Sequence, residues 1–370
     1  MKFSCEKTLL TNALTMTARV VSARSTLPVL EGVLISADKE KIKITGYNME
    51  TAVITELSAD IKETGSIVVP AKILVDIIRK LQDGIVDFEV GNDFIVSINC
   101  GLSEFKIVGI DPEQFPKLPD VNKESSFNLN QNLLKSMLSK VLYAVAVNEN
   151  KGVHTGVLFR IEDQILELVA LDGFRMALRR EKIEIKKNKN INFVAPSSAL
   201  RELEYALKES EDKNITIDVG SRHIQFITED VTIVSRLLDG EFLNYKNSIP
   251  TSHNYTLSVN TRDFLECVER VSLLVSDKVK NPVRMVFEET NINMFLNTSL
   301  GSAKDSCSCE GAAENIEIGF NHKYMIDAFK AALPDERVSL KLNSALSPCI
   351  ITSEDNDSYL FMVLPVRLKS

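Results

Sequence analysis

Buried-type residues along the chain follow two spacings, one typical of strands and one typical of helices. The segments Lys41–Thr45, Val86–Val90 and Asp93–Ile98 alternate with a period of two, which predicts short strands with one buried face. After a short predicted strand, Lys2–Cys5, the period changes to that of a helix. The positions that recur at helical intervals, and that we expect on the buried face of an amphipathic helix, are Leu10, Ala13, Leu14, Thr17 and Val21.

This strand-and-helix pattern occurs three times. A strand that leads into an amphipathic helix reads VVPAKILVDIIRKL around Pro70, FVAPSSALRELEYAL around Pro196 and IGFNHKYMIDAFKAAL around Asn321. A second landmark precedes each copy and reads FSCEKTLLTNALTMTARVV, FNLNQNLLKSMLSKVLYAV and LSVNTRDFLECVERVSLLV. Both landmarks give a period of about 125 residues, which is too long for a solenoid repeat and indicates a triplicated domain.

Each repeat is predicted to contain two helices and about eight short strands, which is typical of an α+β domain with helices on one face of an antiparallel sheet. Polar, proline-containing stretches at 117–126 and 247–254 separate the repeats. We therefore expect domains at residues 1–124, 125–252 and 253–370.

Charge is distributed unevenly between the predicted helices and the rest of the chain. The 370 residues have a formal net charge of −8, yet the six predicted helices together are positive. This asymmetry suits a ring whose helices line the hole and attract phosphate without reading bases. The alternative is that the helix lysines only solvate an exposed face. The helix residues in question include Lys72, Arg79, Lys80, Lys135, Lys140 and Lys323.

Several classes of protein are disfavoured by the composition and motifs. No apolar run approaches a membrane span and the N-terminus is charged, so we expect a cytoplasmic protein. The six dispersed cysteines are interpreted as reduced core residues, and Cys307-Ser308-Cys309 alone is a weak zinc signal. The four histidines are not paired with possible ligands, and no phosphate-binding glycine loop or GxSxG motif is present. We therefore expect no metal, no cofactor and no enzymatic activity.

Five motifs, in order along the whole chain, resemble the bacterial sliding clamp family, the β subunit of DNA polymerase III. They are Arg24–Leu30, Val69–Lys72, Asp172–Ala177, Asp239–Phe242 with Ile249-Pro250, and Leu364–Leu368. The resemblance implies a head-to-tail homodimer that closes into a ring around double-stranded DNA. In that arrangement Phe105 and Ile107 of one copy would meet Leu273 and Leu274 of the other, although all four also suit an ordinary core.

The resemblance also implies two sets of binding residues. Together with the predicted helix residues Arg79 and Lys80, the DNA contacts would be Arg24, Asn48, Met49, Lys72, Asn148, Lys151, Lys278 and Lys280. A pocket for short partner peptides would use His154, Leu171, Gly173, Phe174, Arg175, Met176, Leu243, Ser248, Asn321, Tyr324, Leu346, Met362, Leu364, Pro365, Val366 and Arg367.

This predicted pocket departs from the usual family pattern at His154, Leu171, Phe174, Leu243 and Ser248, which makes its edge more polar near His154 and Ser248. Methionine adapts to varied apolar side chains, so Met176 and Met362 suit a promiscuous site, although both also suit a core. The implied partners are the replicative polymerase, the clamp loader and repair proteins. The predicted function is therefore that of a non-catalytic processivity factor, and the alternative is an interaction scaffold that does not bind DNA.

Overall fold

The computed structural model describes residues 1–184, 190–210, 212–276, 281–313 and 316–368. Six α-helices occur in these ranges, two in each repeat, as the sequence predicts. Their bounds are Lys7–Ala18 (α1), Ala71–Lys80 (α2), Gln131–Ser139 (α3), Ser197–Ala206 (α4), Thr261–Val271 (α5) and His322–Ala332 (α6).

Nine strands of the described chain belong to the first repeat. They are Lys2–Glu6 (β1), Gly32–Ala37 (β2), Lys41–Tyr47 (β3), Thr51–Ser58 (β4), Asp60–Glu63 (β5), Gly65–Pro70 (β6), Ile85–Val90 (β7), Ile95–Cys100 (β8) and Ser103–Val108 (β9). The second repeat contributes Ser125–Asn130 (β10), Gly156–Glu162 (β11), Ile165–Leu171 (β12), Arg175–Lys182 (β13), Ile191–Pro196 (β14), Asn214–Val219 (β15), His223–Ile227 (β16) and Val231–Arg236 (β17).

The third repeat repeats this order of strands and helices. Its strands in the described ranges are Tyr255–Asn260 (β18), Val283–Phe287 (β19), Asn291–Thr298 (β20), Gly301–Ala312 (β21), Ile316–Phe320 (β22), Arg337–Leu342 (β23), Cys349–Ser353 (β24) and Tyr359–Val363 (β25). By this order, β9, β17 and β25 are equivalent strands, and so are β4, β13 and the first part of β21.

The helices bury the faces that their spacing predicts. In α1 the buried residues include Leu10, Leu14 and Thr17. In α2 the charged side chains are exposed and the apolar ones are buried, except Ile73, which is 48% exposed. The third-repeat helices begin at asparagines whose side chains satisfy free backbone N–H groups. Asn260 accepts hydrogen bonds from two such groups of α5, and Asn321 accepts one from α6.

Antiparallel pairing joins each repeat to the next along the chain. Strand β17 pairs with β4, and β25 pairs with β13, so each of these seams continues a sheet from one repeat into its neighbour. The resulting sheets have five strands (β5-β1-β7-β8-β9), eight strands (β10-β15-β16-β17-β4-β3-β2-β6) and twelve strands (β14-β11-β12-β13-β25-β24-β23-β18-β21-β20-β19-β22). The predicted α+β fold of three tandem domains is confirmed.

The chain forms two compact units, and each unit contains one of these seams. The limits of the units therefore do not follow the repeats. One unit contains Met1–Leu133 with Ser198–Leu237, and the other contains Leu134–Ser197 with Leu238–Ser370. The second repeat is shared because half of its strands continue the sheet of the first repeat and half continue that of the third. Within the described residues, no helix is long and apolar enough to cross a membrane.

Candidate functional sites

A cavity of about 190 Å³ opens beside the β13–β25 seam. Its floor contains Met176 and Met362, which lie opposite each other in the two strands and are almost fully buried. Every lining residue except Tyr245 belongs to the predicted partner pocket. The lining residues are Leu171, Gly173, Phe174, Arg175, Met176, Leu243, Tyr245, Ser248, Met362 and Leu364.

The turn between β12 and β13 presents the exposed wall of this cavity. Gly173 has φ +92°, a conformation that side chains other than glycine rarely adopt. The Asp172 carboxylate accepts hydrogen bonds from the backbone N–H groups of Phe174 (2.9 Å) and Arg175 (3.1 Å). The backbone N–H of Leu364 donates to the carbonyl of Phe174 (2.9 Å), so the C-terminal tail is fastened to the turn. This leaves the Phe174 ring 57% exposed.

Arg175 is enclosed by two carboxylates and two aromatic rings. Its Nε donates to Oδ2 of Asp172 at 3.0 Å, and its Nη1 donates to Oδ2 of Asp327 at 2.5 Å. The guanidinium carbon lies 4.6 Å from the ring centroid of Tyr324 and 5.4 Å from that of Tyr143. Only 10% of the side chain is exposed. The guanidinium of Arg175 is thus engaged within the protein.

Tyr245 is the lining residue that sequence reasoning missed. It is 3% exposed, and its hydroxyl donates to Oε2 of Glu167 at 2.6 Å. Burial, followed by the hydrogen bond to Glu167, raises the pKa of the Tyr245 hydroxyl to about 12. Its only signal in the sequence is an aromatic residue in the polar stretch 244–248.

The other predicted pocket residues lie outside the cavity lining. Tyr324 stacks on Phe174, with ring centroids 6.3 Å apart, and His154 packs edge-on against Phe242 at 5.3 Å. Asn321 caps α6, and Leu346 is 70% exposed. In the C-terminal tail, where Pro365 is half-buried and Arg367 exposed, the backbone N–H of Val366 donates to the carbonyl of Gly319.

His154 lies beside this site with an unusual environment. Its Nε2 atom is buried without a hydrogen-bond partner among the described residues. Burial, reinforced by the positive charge of Lys151, lowers the pKa of His154. The ring therefore favours the neutral form, which is compatible with the apolar surroundings of the pocket.

The equivalent positions of the β4–β17 seam carry smaller side chains next to two aromatic rings. There Ala52 lies opposite Val234, as Met176 lies opposite Met362 in the other seam. The rings of Tyr47 and Phe115 pack into the same cluster with their centroids 6.5 Å apart, and all four residues are buried. The two seams thus share a backbone arrangement but differ in how much of the space their side chains fill.

The predicted DNA contacts in the first repeat lie at three places. Lys72, Arg79 and Lys80 are all exposed on the outer side of α2. Asn48 and Met49 form the turn between β3 and β4, where Met49 has φ 74° and is 54% exposed. Arg24 is also exposed, in the segment after α1.

In the second repeat Asn148 and Lys151 are exposed; Lys151 lies in a short 3-10 segment that Asn148 caps. Lys278 and Lys280 lie outside the described residues.

One expectation about a helix lysine is wrong. Lys140 is 7% exposed, its Nζ donates to the carbonyl of Ala331 at 3.0 Å, and it lies 4.3 Å from the centroid of the Tyr359 ring. It is a buried structural cation and not a surface contact for phosphate.

Of the four predicted dimer residues, Phe105 and Leu273 are exposed, whereas Leu274 is partly buried and Ile107 packs against the core of the first repeat. Phe105 and Ile107 lie on β9, the edge strand of the five-stranded sheet, and Phe105 is 38% exposed. Leu273 and Leu274 lie in a 3-10 turn directly after α5, and Leu273 is 82% exposed. Leu273 is therefore not a core residue.

The described side chains form no cluster of possible metal ligands. No group of three or more His, Cys, Asp or Glu residues is placed to hold a metal ion in the ranges that the structure covers. Cys307 and Cys309 are buried on β21, and all six cysteines are buried free thiols, as the sequence analysis expects.

Three tandem α+β repeats joined by antiparallel seams, with an apolar pocket at one seam, define the class of sliding clamps. The chain belongs to the DNA polymerase III beta subunit family, the bacterial sliding clamps. The family's N-terminal domain matches residues 1–119, its central domain residues 128–244 and its C-terminal domain residues 246–367. The beta sliding clamps of Staphylococcus epidermidis and Halalkalibacterium halodurans are each 32% identical to the chain. The alignments cover 99% of this chain and at least 99% of each relative.

Solved structures agree with this assignment. A putative DNA polymerase III beta subunit from Eubacterium rectale has a TM-score of 0.93 at 31% identity, covering 99% of both chains. The sliding clamp of Bacillus subtilis has a TM-score of 0.94 at 28% identity, covering the whole of both chains. A Pseudomonas aeruginosa sliding clamp solved with bound griselimycin also has a TM-score of 0.94, at 26% identity over the whole of both chains. Membership of this family associates the chain with DNA replication.

Proposed function

We propose that two copies of this chain close into a ring around double-stranded DNA and act as a processivity factor for the replicative DNA polymerase. The ring slides without sequence preference and tethers partner proteins through the pocket at the β13–β25 seam. It performs no reaction of its own and has no cofactor. The observation that carries this proposal is the unpaired outer edge of β9.

Strand β9 is equivalent to β17 and β25, which each pair with the neighbouring repeat. The partners of those two strands are β4 and β13. In the described residues, β9 pairs with β8 alone. Unpaired strand edges are usually blunted or covered, and β9 carries the exposed apolar residue Phe105 between the charged residues Glu104 and Lys106. An edge of this kind favours pairing with a further chain.

The equivalent partner for β9 would be the first part of β21 in a second copy. The residues Gly301–Ser308 of β21 pair with β20 on one side, and only Cys309–Ala312 pair with β18. Each copy therefore offers one β9 edge and one β21 edge. A head-to-tail contact that repeats the two internal seams would close after two copies, which gives six similar domains.

The exposed cations supply the DNA contact in this proposal. Lys72, Arg79 and Lys80 project from one side of α2, where they can meet phosphates without reading the bases. Individually weak phosphate contacts permit sliding, because no position along the duplex is strongly preferred. Retention then comes from the closed ring, since escape requires one of the two inter-copy seams to open.

The apolar pocket supplies the tether. A short peptide with apolar side chains would fill the cavity above Met176 and Met362. Such peptides would belong to the polymerase, the clamp loader and repair proteins. Attachment to a ring on DNA raises the effective concentration of a polymerase at the primer end. The pocket thus converts topological retention into processive synthesis.

The decisive experiment measures solution mass and then retention on DNA. Light scattering across a dilution series should give a mass of twice 41.3 kDa. Protein loaded on nicked circular DNA should remain bound until the circle is linearised. The variant Lys72→Glu with Arg24→Glu should shorten retention, whereas Lys213→Glu, which reverses a charge directly before β15, should not.

Two outcomes would contradict the proposal. Protein that is monomeric at every concentration and stays monomeric when loaded would overturn the ring. A dimer that leaves circular and linear DNA at equal rates would overturn the topological tether and would favour an interaction scaffold that does not act on DNA.

A further inference from the structure

The pocket turn is held from behind by a side chain of α6 that does not line the cavity. We propose that Asp327 is a positioning residue of the partner pocket: its ion pair with Arg175 fixes the turn that carries Gly173 and Phe174. This inference rests on the proposed function of the pocket, which it deepens by assigning pocket affinity to a residue that makes no contact with the partner.

The contacts around Arg175 support a bracing role. Asp172 binds the guanidinium from the turn itself, and Asp327 binds it from α6, so the two carboxylates draw α6 and the turn together. The Tyr324 ring, also on α6, lies against the guanidinium and stacks on Phe174. With 10% of its side chain exposed, Arg175 has little surface left with which to bind a peptide group directly.

Asp327 is separated from the pocket by this assembly. It lines a different crevice, together with Ser139, Lys140 and Tyr143, and 40% of its side chain is exposed. The Arg175–Asp327 ion pair therefore forms part of the wall between the two spaces. Loss of the pair would leave Arg175 with one carboxylate and would remove the charged contact between α6 and the turn, which loosens the hold of α6 on Phe174 and Gly173. The turn would then have to be ordered when a peptide binds, which weakens binding.

The experiment compares Asp327→Asn, Arg175→Lys and the double variant in the full-length protein. The affinity for a fluorescein-labelled pentapeptide, Ser-Leu-Leu-Phe-Gly, is measured by fluorescence anisotropy. We expect each single variant to weaken binding by about tenfold and the double variant to be no weaker than either, because both changes break one coupled contact. Asp327→Glu should restore most of the affinity.

Two controls separate positioning from general loss of stability. Glu269→Gln removes a different ion pair to α6, that with Lys330, and should leave peptide affinity unchanged. Hydrogen exchange without peptide should become faster in Asp327→Asn at the amides of Phe174 and Arg175, with no change at the amides of α5. This second readout does not depend on peptide binding.

The outcomes distinguish the inference from the proposed function. Wild-type affinity and unchanged exchange in Asp327→Asn would overturn the positioning role. Additive losses in the double variant would also overturn it, because they would indicate that Arg175 contacts the peptide independently of Asp327. A wild-type protein that fails to bind the peptide, with faster exchange in Asp327→Asn, would contradict the proposed pocket ligand while supporting the bracing of the turn.

Discussion

Met176 of β13 and Met362 of β25 lie directly opposite each other, so the pocket floor joins one strand of the second repeat to one strand of the third. Both side chains are long and flexible, which lets the floor adapt to different apolar partners. Ala52 and Val234 hold the equivalent places in the other seam, and there the neighbouring aromatic rings fill the space. The pocket therefore depends on side chains at a seam whose backbone is repeated elsewhere in the chain.

The change Met362→Ala should weaken peptide binding by deepening the floor. We expect a loss of about 2–4 kcal/mol in the free energy of unfolding and roughly tenfold in affinity for the labelled pentapeptide. Urea unfolding and fluorescence anisotropy measure the two effects. The matched control is Phe361→Leu, which changes the neighbouring, fully buried position of β25. Weakened stability with unaltered affinity in Met362→Ala would argue against this floor.

The change Tyr245→Phe should test the hydrogen bond beneath the pocket. Loss of the hydroxyl removes the 2.6 Å hydrogen bond from Tyr245 to Glu167. The ion pair between Glu167 and Arg180, with its atoms 3.7 Å apart, remains. We expect unfolding free energy to fall by about 1–2 kcal/mol, because the acceptor is a partly buried carboxylate. The control is Tyr255→Phe, and equal stabilities of the two variants in urea would be inconsistent with the proposed contribution.

The change Phe105→Asp should convert the proposed dimer to a monomer. A carboxylate at the edge of β9 would be desolvated in a seam between copies, whereas in a single chain it would remain in water. Leu273→Asp should have the same effect from the other side of the seam. Ile165→Asp, at a position of similar exposure in β12, serves as the control. Sedimentation velocity that shows a dimer for Phe105→Asp would place the interface elsewhere.

Stability should fall on mild acidification, in part through His154. Burial lowers the pKa of His154 in the folded chain, so below about pH 6.5 the unfolded chain binds a proton that the folded chain does not. The free energy of unfolding is thus unaffected by this group well above pH 6.5 and decreases as the pH falls below 6.5. His154→Gln should flatten that slope, as measured by thermal unfolding. An identical slope in the variant would show that other groups are responsible.

The sequence predicted the six helices, the strand pattern and most of the cavity lining, because short-range periodicity and recognisable motifs specify them. It was wrong about Lys140, which follows the last residue of α3, because helical periodicity does not show which distant residues will bury a side chain. In the structure that burial comes from Ala331 and Tyr359, far away in the chain. Tyr245 was missed for a related reason: it lies in a 3-10 segment without periodicity, and its role depends on contact with Glu167 of another strand.

The pairing of β17 with β4 has a consequence for any single repeat separated from the chain. Excision of the first repeat would uncover the Thr51–Thr55 edge of β4 while β9 remained exposed at the other end. Strand β9 is equivalent to β17, the partner of β4 in the intact chain. The fragment would therefore carry two strand edges, β4 and β9, that can pair with each other between copies. Identical fragments would join end to end, and any mismatch in the angle between them would give open filaments instead of closed six-membered circles. In the proposed ring, covalent linkage of three repeats would limit self-assembly to one junction per chain.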